Sequence, residues 1–359
     1  MMTHRKPREA APCLGVLYGN RDFFPDHLVT EARADMVDVF ARLGIRAVQL
    51  DVHETKLGGV ESLADARACA ELFRRHADEL DGILVVLPNF GDEKGVADAI
   101  KLSQLKLPIL VQAYPDEPAK LKPETRRDAY CGKVSVCNNL VQAGIPFTLT
   151  EKHVCHPATP EFAAELQRFV GVCRVVNGVR GVRLGAVGAR PGAFNTVRYS
   201  EKILERHGIS VTTVDLSEIL ENARALGDGA ASVKQMLDAI TRYAPAPDVP
   251  AARLLQMAKL GAALHTWIES QALDATAIQC WTSLQRAAGC NACTLMSMMS
   301  EAFMPSACEV DVTGAVTMYA MQCAANAPAA LVDWNNNYGS DDDACVLFHC
   351  GNWARHFLP

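Results

Sequence analysis

The sequence has no uninterrupted apolar run near the ~18 residues that a membrane-spanning helix needs, so no span is expected. Its start, MMTHRKPREAAPCLGVLYGN, carries basic residues, but the apolar run behind them is short and leads directly into NRDFFPD. The core and cleavage site of a secretory signal are missing. An excess of one charge is missing as well: 35 Lys+Arg stand against 41 Asp+Glu. The net charge of -6 is too mild and too mixed for an electrostatic nucleic-acid binder. No repeat of solenoid period and no low-complexity tract occurs. An even framework of cysteines is also lacking, since there are thirteen, scattered through apparent strands and helices. Without an export signal this predicts reduced thiols in the cytoplasm, most of them serving as small buried hydrophobes. Cys290 and Cys293 in GCNACT have CxxC spacing but no second pair to complete a zinc site, and they lie too late in the chain for a thioredoxin-like motif.

What is present is enough apolar residue, 49% of 359, to bury sizeable cores in a folded, soluble protein of two or three domains. Apolar runs at 13–19, 45–52, 82–88 and 108–114 alternate with helical patterns near 26–43, 61–79 and 92–104. Runs that are continuously apolar, separated by helices, predict a parallel sheet covered on both faces, hence a doubly wound α/β domain. The pattern restarts after a helix near 160–174, with strands at 182–189 and 209–216 and helices near 197–207 and 217–226. A Pro-containing stretch at 243–252 leads into a long helix ending near 271. A strand at 276–281, a Met-rich helix at 294–303, another helix at 311–325 and two short apolar runs follow. Two Rossmann-like doubly wound domains, 1–174 and 175–325, are therefore expected, with 326–359 as the start of an incomplete C-terminal domain.

Three places suggest chemistry. GAVGARPG (185–192) sits between a strand and a helix, with Asp215 at the end of the next strand, as in a dinucleotide site. The glycine spacing is not GxGxxG, however, and Pro191 removes an N–H that a phosphate would use, so tight-turn glycines are the better account. A sugar contact from Arg190 or Asn195 stays open. YGNRDFFPDHLV (18–29) puts an arginine and two aromatics just past the first strand, where doubly wound sheets bind ligands. Arg21 is the candidate there; packing of Phe23 and Phe24 under a helix capped by Asp26 is the alternative. Finally, FMPSACEVDVTG sets Glu309 and Asp311 at a helix start after a loop containing Pro305, where capping alone would explain them. Asp333 ends the run AALVD and His349 ends ACVLFH. A charged group at the end of an apolar strand needs a partner. Carboxylates with one imidazole suit a hard divalent cation, although hydrogen-bonded structural groups would have the same composition.

NRDFFP, GARPGAFNTVRYSE, QCWTSLQ, ACEVDVTGAVTMYA and LVDWNN with LFHCGNW, in this order, resemble the L-fucose isomerase and L-arabinose isomerase superfamily across essentially the whole chain. That resemblance implies a metal-dependent aldose–ketose isomerase with two Rossmann-like domains and a C-terminal domain that completes the site. It implies that Glu309 and Asp333 bind the metal and form the acid/base pair moving a proton between C1 and C2, with His349 as a third ligand and Mn²⁺ as the expected cofactor. It further implies a homo-oligomer, trimer or hexamer, in which Arg21 or Phe24 reaches a small sugar substrate in a neighbouring subunit, and in which Gln279 and Trp281 face the sugar. Members of the superfamily continue well beyond this point, with a further metal-binding histidine and a closing wall, so a truncated member is expected. A non-catalytic sugar-binding or regulatory protein with two Rossmann-like lobes is the alternative, and a nicotinamide-dependent oxidoreductase is disfavoured by the broken glycine motif.

Overall fold

The computed structural model describes residues 11–349 and 351–358. The chain divides into two compact units, and the division falls in sequence between Asn177 and Gly178. In the first unit the strands are β1 (Cys13–Gly19), β2 (Arg46–Val48), β3 (Gly59–Val60), β4 (Gly82–Leu87), β5 (Ile109–Ala113) and β6 (Thr148–Leu149). They pair in parallel in the order β2-β1-β4-β5-β6, and β3 pairs with the last residues of β1. The crossovers are α1 (His27–Leu43), α2 (Leu63–Arg75), α3 (Glu93–Ser103), α4 (Ala129–Gln142) and α5 (Pro160–Val179).

Continuous apolar sequence makes this sheet buried on both faces. Leu14, Val16 and Tyr18 of β1 pack with Val29 and Met36 of α1 and Phe162 and Phe169 of α5. Cys13 and Leu17, pointing the other way, pack with Phe73 of α2, Val96 of α3 and Val136 of α4. Each large side chain buried in this way contributes roughly 1.5–3 kcal/mol. Helix α2 starts where its sequence says it should, because Ser62 and Asp65 form a capping box.

The second unit repeats the plan with β7 (Arg183–Val187), β8 (Ser210–Val214), β9 (Ala275–Ile278) and β10 (Ser306–Cys308), all parallel in the order β10-β9-β7-β8. Its helices are α6 (Glu201–Arg206), α7 (Leu216–Ala225), α8 (Ala231–Tyr243), α9 (Ala251–Ser270), α10 (Ser283–Ala288), α11 (Cys293–Glu301) and α12 (Val312–Ala325). Val187, Val214 and Ile278 of the sheet join Ile219, Val233, Leu264, Leu295 and Met299 in one apolar core, while α12 packs along β7, β9 and β10. Both sheets place later strands on either side of their first strand, so each has a switch point where successive crossovers diverge. In the first it lies between β1 and β4, in the second between β7 and β9. Ligands of such sheets sit there, beyond the carboxyl ends of the strands.

The doubly wound α/β class expected from the apolar pattern is what folds. Several local expectations are corrected. The run 45–52 forms only a three-residue strand, and α4 and α8 arise where no helix was expected. Pro305 does lie in a loop, but the short strand β10 stands between that loop and Glu309. Asp333 does not end an apolar strand: it opens β11 (Asp333–Tyr338), which pairs antiparallel with β12 (Asp341–Phe348) as a solvent-exposed hairpin turning at Gly339, φ +61°. His349 does follow a strand, β12. The twelve cysteines described are all free thiols, and no helix among the described residues is long and apolar enough to cross a membrane.

Candidate active site

The switch point of the first unit is closed by polar groups that satisfy one another. Asn20, directly after β1, and Asn89, shortly after β4, are fully buried. Asn89 Nδ2 donates to Asn20 Oδ1 at 2.5 Å, and Asn89 Oδ1 accepts from Gly91 N at 3.0 Å. Asn20 Nδ2 in turn donates to Asp26 at 3.1 Å and to Glu61. Asp26 therefore does not cap α1 with its side chain; it accepts from Asn20 and pairs with Lys56 Nζ at 2.8 Å. Arg21 lies over the Phe90 ring, 4.3 Å from its centroid, and donates from Nε to Gly91 O at 3.0 Å. Phe24 is buried against Phe90, whereas Phe23 is the exposed ring of the pair, at 71%.

The second unit gathers the remaining candidates at and around the carboxyl ends of its strands. Gly188, just after β7, has φ +81°, a conformation that favours glycine, and a Cβ there would meet Gln279 Oε1 at 2.3 Å. The Gln279 amide thus fills the space, with Oε1 accepting from Ala189 N at 2.9 Å. Asp215, the would-be ribose acid, caps α7 through Ser217 N at 2.7 Å. Trp281 is half exposed and packs edge-on to Phe194, centroids 5.1 Å apart. Arg190 donates from Nη1 to Pro191 O and Phe194 O, both at 3.0 Å, and borders a pocket of about 270 Å³ that also takes in Gly188, Arg198, Tyr199, Thr213 and Val310.

Glu309 leaves β10 in an unusual way. It and Val310 both hold left-handed backbone conformations, φ +61° and +56°. For a β-branched residue this is a genuine outlier, and such conformations cost of order 1–3 kcal/mol each and gather at functional sites. Asp311 is the one that caps α12, accepting from Gly314 N at 2.8 Å. Glu309 is thereby released from capping. Burial, then the negative charges of Asp333 and Asp311, push its carboxyl above the usual carboxylate range.

His349 is buried, with 7% of its side chain exposed, against 67% for Asp333. Its Nδ1 lies 3.6 Å from Asp333 Oδ2, within ion-pair reach but too far for a hydrogen bond, so this buried nitrogen has no hydrogen-bond partner among the described residues. Its Nε2 is 3.4 Å from Cys308 Sγ. Cys308 shares a hydrogen bond with Cys280, which draws the Cys280 thiol down and pushes that of Cys308 up. The backbone around His349 is pinned by Asn352 Nδ2 donating to Ser306 O at 2.5 Å and by Trp353 Nε1 donating to His349 O at 3.1 Å. A Cβ at Gly351 would stand 2.4 Å from His349 Nε2, so a side chain there would press on the imidazole.

Among the described residues no three His, Cys, Asp or Glu side chains are arranged to hold a metal ion. The donor chemistry nevertheless suits one, since two repelling carboxylates and an imidazole nitrogen lacking a partner are what a hard cation satisfies. Cys308, Gly351, Asn352, Arg198 and Tyr199 were not picked out from the sequence. The signal for the first three was adjacency to Glu309 and His349 in CEVD and HCGNW.

These observations define a class, an α/β protein with two doubly wound sheets, one with a carboxylate and imidazole cluster beside its strand ends. Residues 15–180 match the fucose/sulfoquinovose isomerase N-terminal domain. It is 28% identical over 205 residues to the sulfoquinovose isomerase of Alkalicoccus urumqiensis, covering 54% of this chain and 44% of that one. To the sulfoquinovose isomerase of Priestia aryabhattai it is 23% identical over 290 residues, covering 77% and 60%. To that of Clostridium sp. (strain MSTE9) it is 21% identical over 196 residues, covering 53% and 42%. The matches thus span about half the length of these relatives.

Proposed function

We propose that this chain is an aldose–ketose isomerase, cytoplasmic and homo-oligomeric (trimer or hexamer), acting on a sulfonated or deoxy hexose or on a pentose. The observation that carries the reading is the buried His349 nitrogen without a hydrogen-bond partner, facing Asp333 beside the desolvated Glu309. The match to the fucose/sulfoquinovose isomerase domain and the names of the relatives support the substrate class.

Glu309, Asp333 and His349 would hold a divalent cation, proposed as Mn²⁺, which supplies electrostatic stabilisation of the charge developing on the sugar oxygens. The chain's own residues move the proton. One of the two carboxylates removes it from C2 of the open-chain aldose and a proton is delivered to C1, while the proton of the C2 hydroxyl passes to the oxygen on C1, so that C2 becomes the ketone and C1 the alcohol. His349, in contact with Cys308 and bound at its carbonyl by Trp353, would fix Asp333 on its side of the site. Gln279 and Trp281 at the end of β9, and Arg190 after β7, would orient hydroxyls. Arg21 and Phe24 would do so from a neighbouring subunit.

The test is ketose formation with Mn²⁺ from 6-deoxy-6-sulfoglucose, L-fucose, L-arabinose and D-arabinose, together with solvent deuterium incorporation. Glu309→Gln and Asp333→Asn should each lower turnover by about 10²-fold or more while leaving the circular dichroism spectrum unchanged. Turnover indifferent to both substitutions would sink the assignment.

A further inference from the structure

The pocket beside β7 has chemistry that proton transfer does not use. It is about 270 Å³ and lies next to Val310, the neighbour of Glu309. That volume suits one end of a sugar rather than a whole hexose. Two arginines line it, Arg190 and Arg198. Arg190 is fixed by two carbonyls of its own loop, Pro191 O and Phe194 O, both bound by Nη1. Arg198 is held through Nε by Asn195 O at 3.1 Å. Among the described residues neither forms an ion pair, and neither Arg190 Nε nor its Nη2 has a protein acceptor. Elsewhere in the chain arginines close to acids do pair: Arg127 with Glu31, Arg46 with Glu79, Arg168 with Glu165. The acid nearest in sequence, Glu201, is engaged by Tyr199 Oη at 3.4 Å.

Two positive side chains that line one concavity, held by neutral carbonyls and without an ion pair among the described residues, suit a tetrahedral oxyanion. A guanidinium presents paired N–H donors to such a group and is less strongly hydrated than an ammonium, so less is lost on desolvation. Thr213, also lining the pocket, adds a hydroxyl. We infer that this pocket is an anion subsite, in which Arg190 and Arg198 take the sulfonate or phosphate group at the non-reacting end of a sugar and so set its carbonyl end toward Glu309. The part concerning Glu309 rests on the isomerase reading; the anion subsite does not.

The experiment measures binding calorimetrically on the whole chain, without turnover, for 6-deoxy-6-sulfoglucose, glucose 6-phosphate and glucose. The expected result is at least about tenfold tighter binding of one or both anionic sugars than of glucose, weakening with added salt. A preference for the sulfonate alone or the phosphate alone names the source of the anion. Arg190→Gln and Arg198→Gln should each reduce the preference, and Arg190→Lys should restore part of it, which a loop-closing role alone would not produce. Asp333→Asn should retain it. Equal affinity for charged and uncharged sugars, no binding of either anionic sugar, or a preference that survives both glutamine variants would overturn the inference. An intact preference with no isomerase activity would sink the isomerase reading and leave the subsite standing.

Discussion

The two sheets share a winding order but use their switch points in opposite ways. In the first unit Asn20, Asn89, Asp26 and Glu61 close on one another and on backbone groups, leaving little for a ligand to satisfy. In the second, Glu309 and Val310 keep left-handed backbones, the Glu309 carboxyl is pushed up, and His349 Nδ1 lacks a hydrogen-bond partner. Buried polar groups that pair internally rigidify a fold, whereas groups left open cost stability unless something binds them. The same architecture thus yields one switch point whose polar groups are satisfied and another with unmet demand.

That contrast can be broken at two glycines. A Cβ at Gly132 would stand 1.7 Å from the backbone oxygen of Phe90. Gly132→Ala should therefore destabilise the first unit by about 3 kcal/mol, read as a lower urea midpoint. Gly351→Ala pushes instead on the His349 ring, a side chain that can move. Stability should change little, while isomerase turnover drops by about 10²-fold, as misplacement by ~1 Å near a reacting centre does. If Gly351→Ala unfolds the chain while Gly132→Ala is tolerated, the division of labour is reversed.

Cys308→Ala sharpens the comparison at smaller scale. It removes the contact to His349 Nε2 and should weaken the proposed Mn²⁺ binding by about 10-fold, measured by titration, with a modest cost in stability. The counterpart in the first unit is Lys133, buried in α4 with Nζ donating to Thr150 Oγ1 at 2.8 Å and His153 O at 2.9 Å. Burial lowers its pKa from 10.5 to about 8. The folded state therefore binds fewer protons than the unfolded state between these values, so this group's contribution to stability rises with pH from about 8 to 10.5 and is lost as pH falls through 8. Lys133→Met should remove that slope, about 2 kcal/mol across the window, in denaturation curves compared at pH 7 and pH 10. The smallest effect belongs to Trp334→Ser on the exposed hairpin, which should stay within about 0.5 kcal/mol of the parent.

The sequence was most legible where one physical cause dominates. The runs at 13–19, 82–88 and 108–114 are apolar throughout, and they became β1, β4 and β5 because only a doubly covered sheet buries both faces. The run at 45–52 was shortened because its later residues, Gln49 to Val52, lead into the exposed turns before β3. Asp333 was misjudged because Ala329 to Val332 read as a strand, whereas pairing begins only at Asp333 and is set by the turn at Gly339. Glu309, Asp333 and His349 could be named as chemical candidates from residue type, and the fold does bring Asp333 to His349. What residue type could not supply is the support beneath them, because Cys308 and Asn352 act on partners 40 or more residues away in the chain. Their roles depend on packing that spacing does not encode.

The exposed hairpin has one further consequence. Trp334 follows Asp333 directly and is 86% exposed, and Trp281, after β9, is half exposed. An indole in water emits at longer wavelength and is open to collisional quenching by iodide. The chain therefore carries an intrinsic optical probe one residue from a candidate carboxylate, so that whatever settles on Asp333 can be followed as a change in colour and quenching, with no label attached.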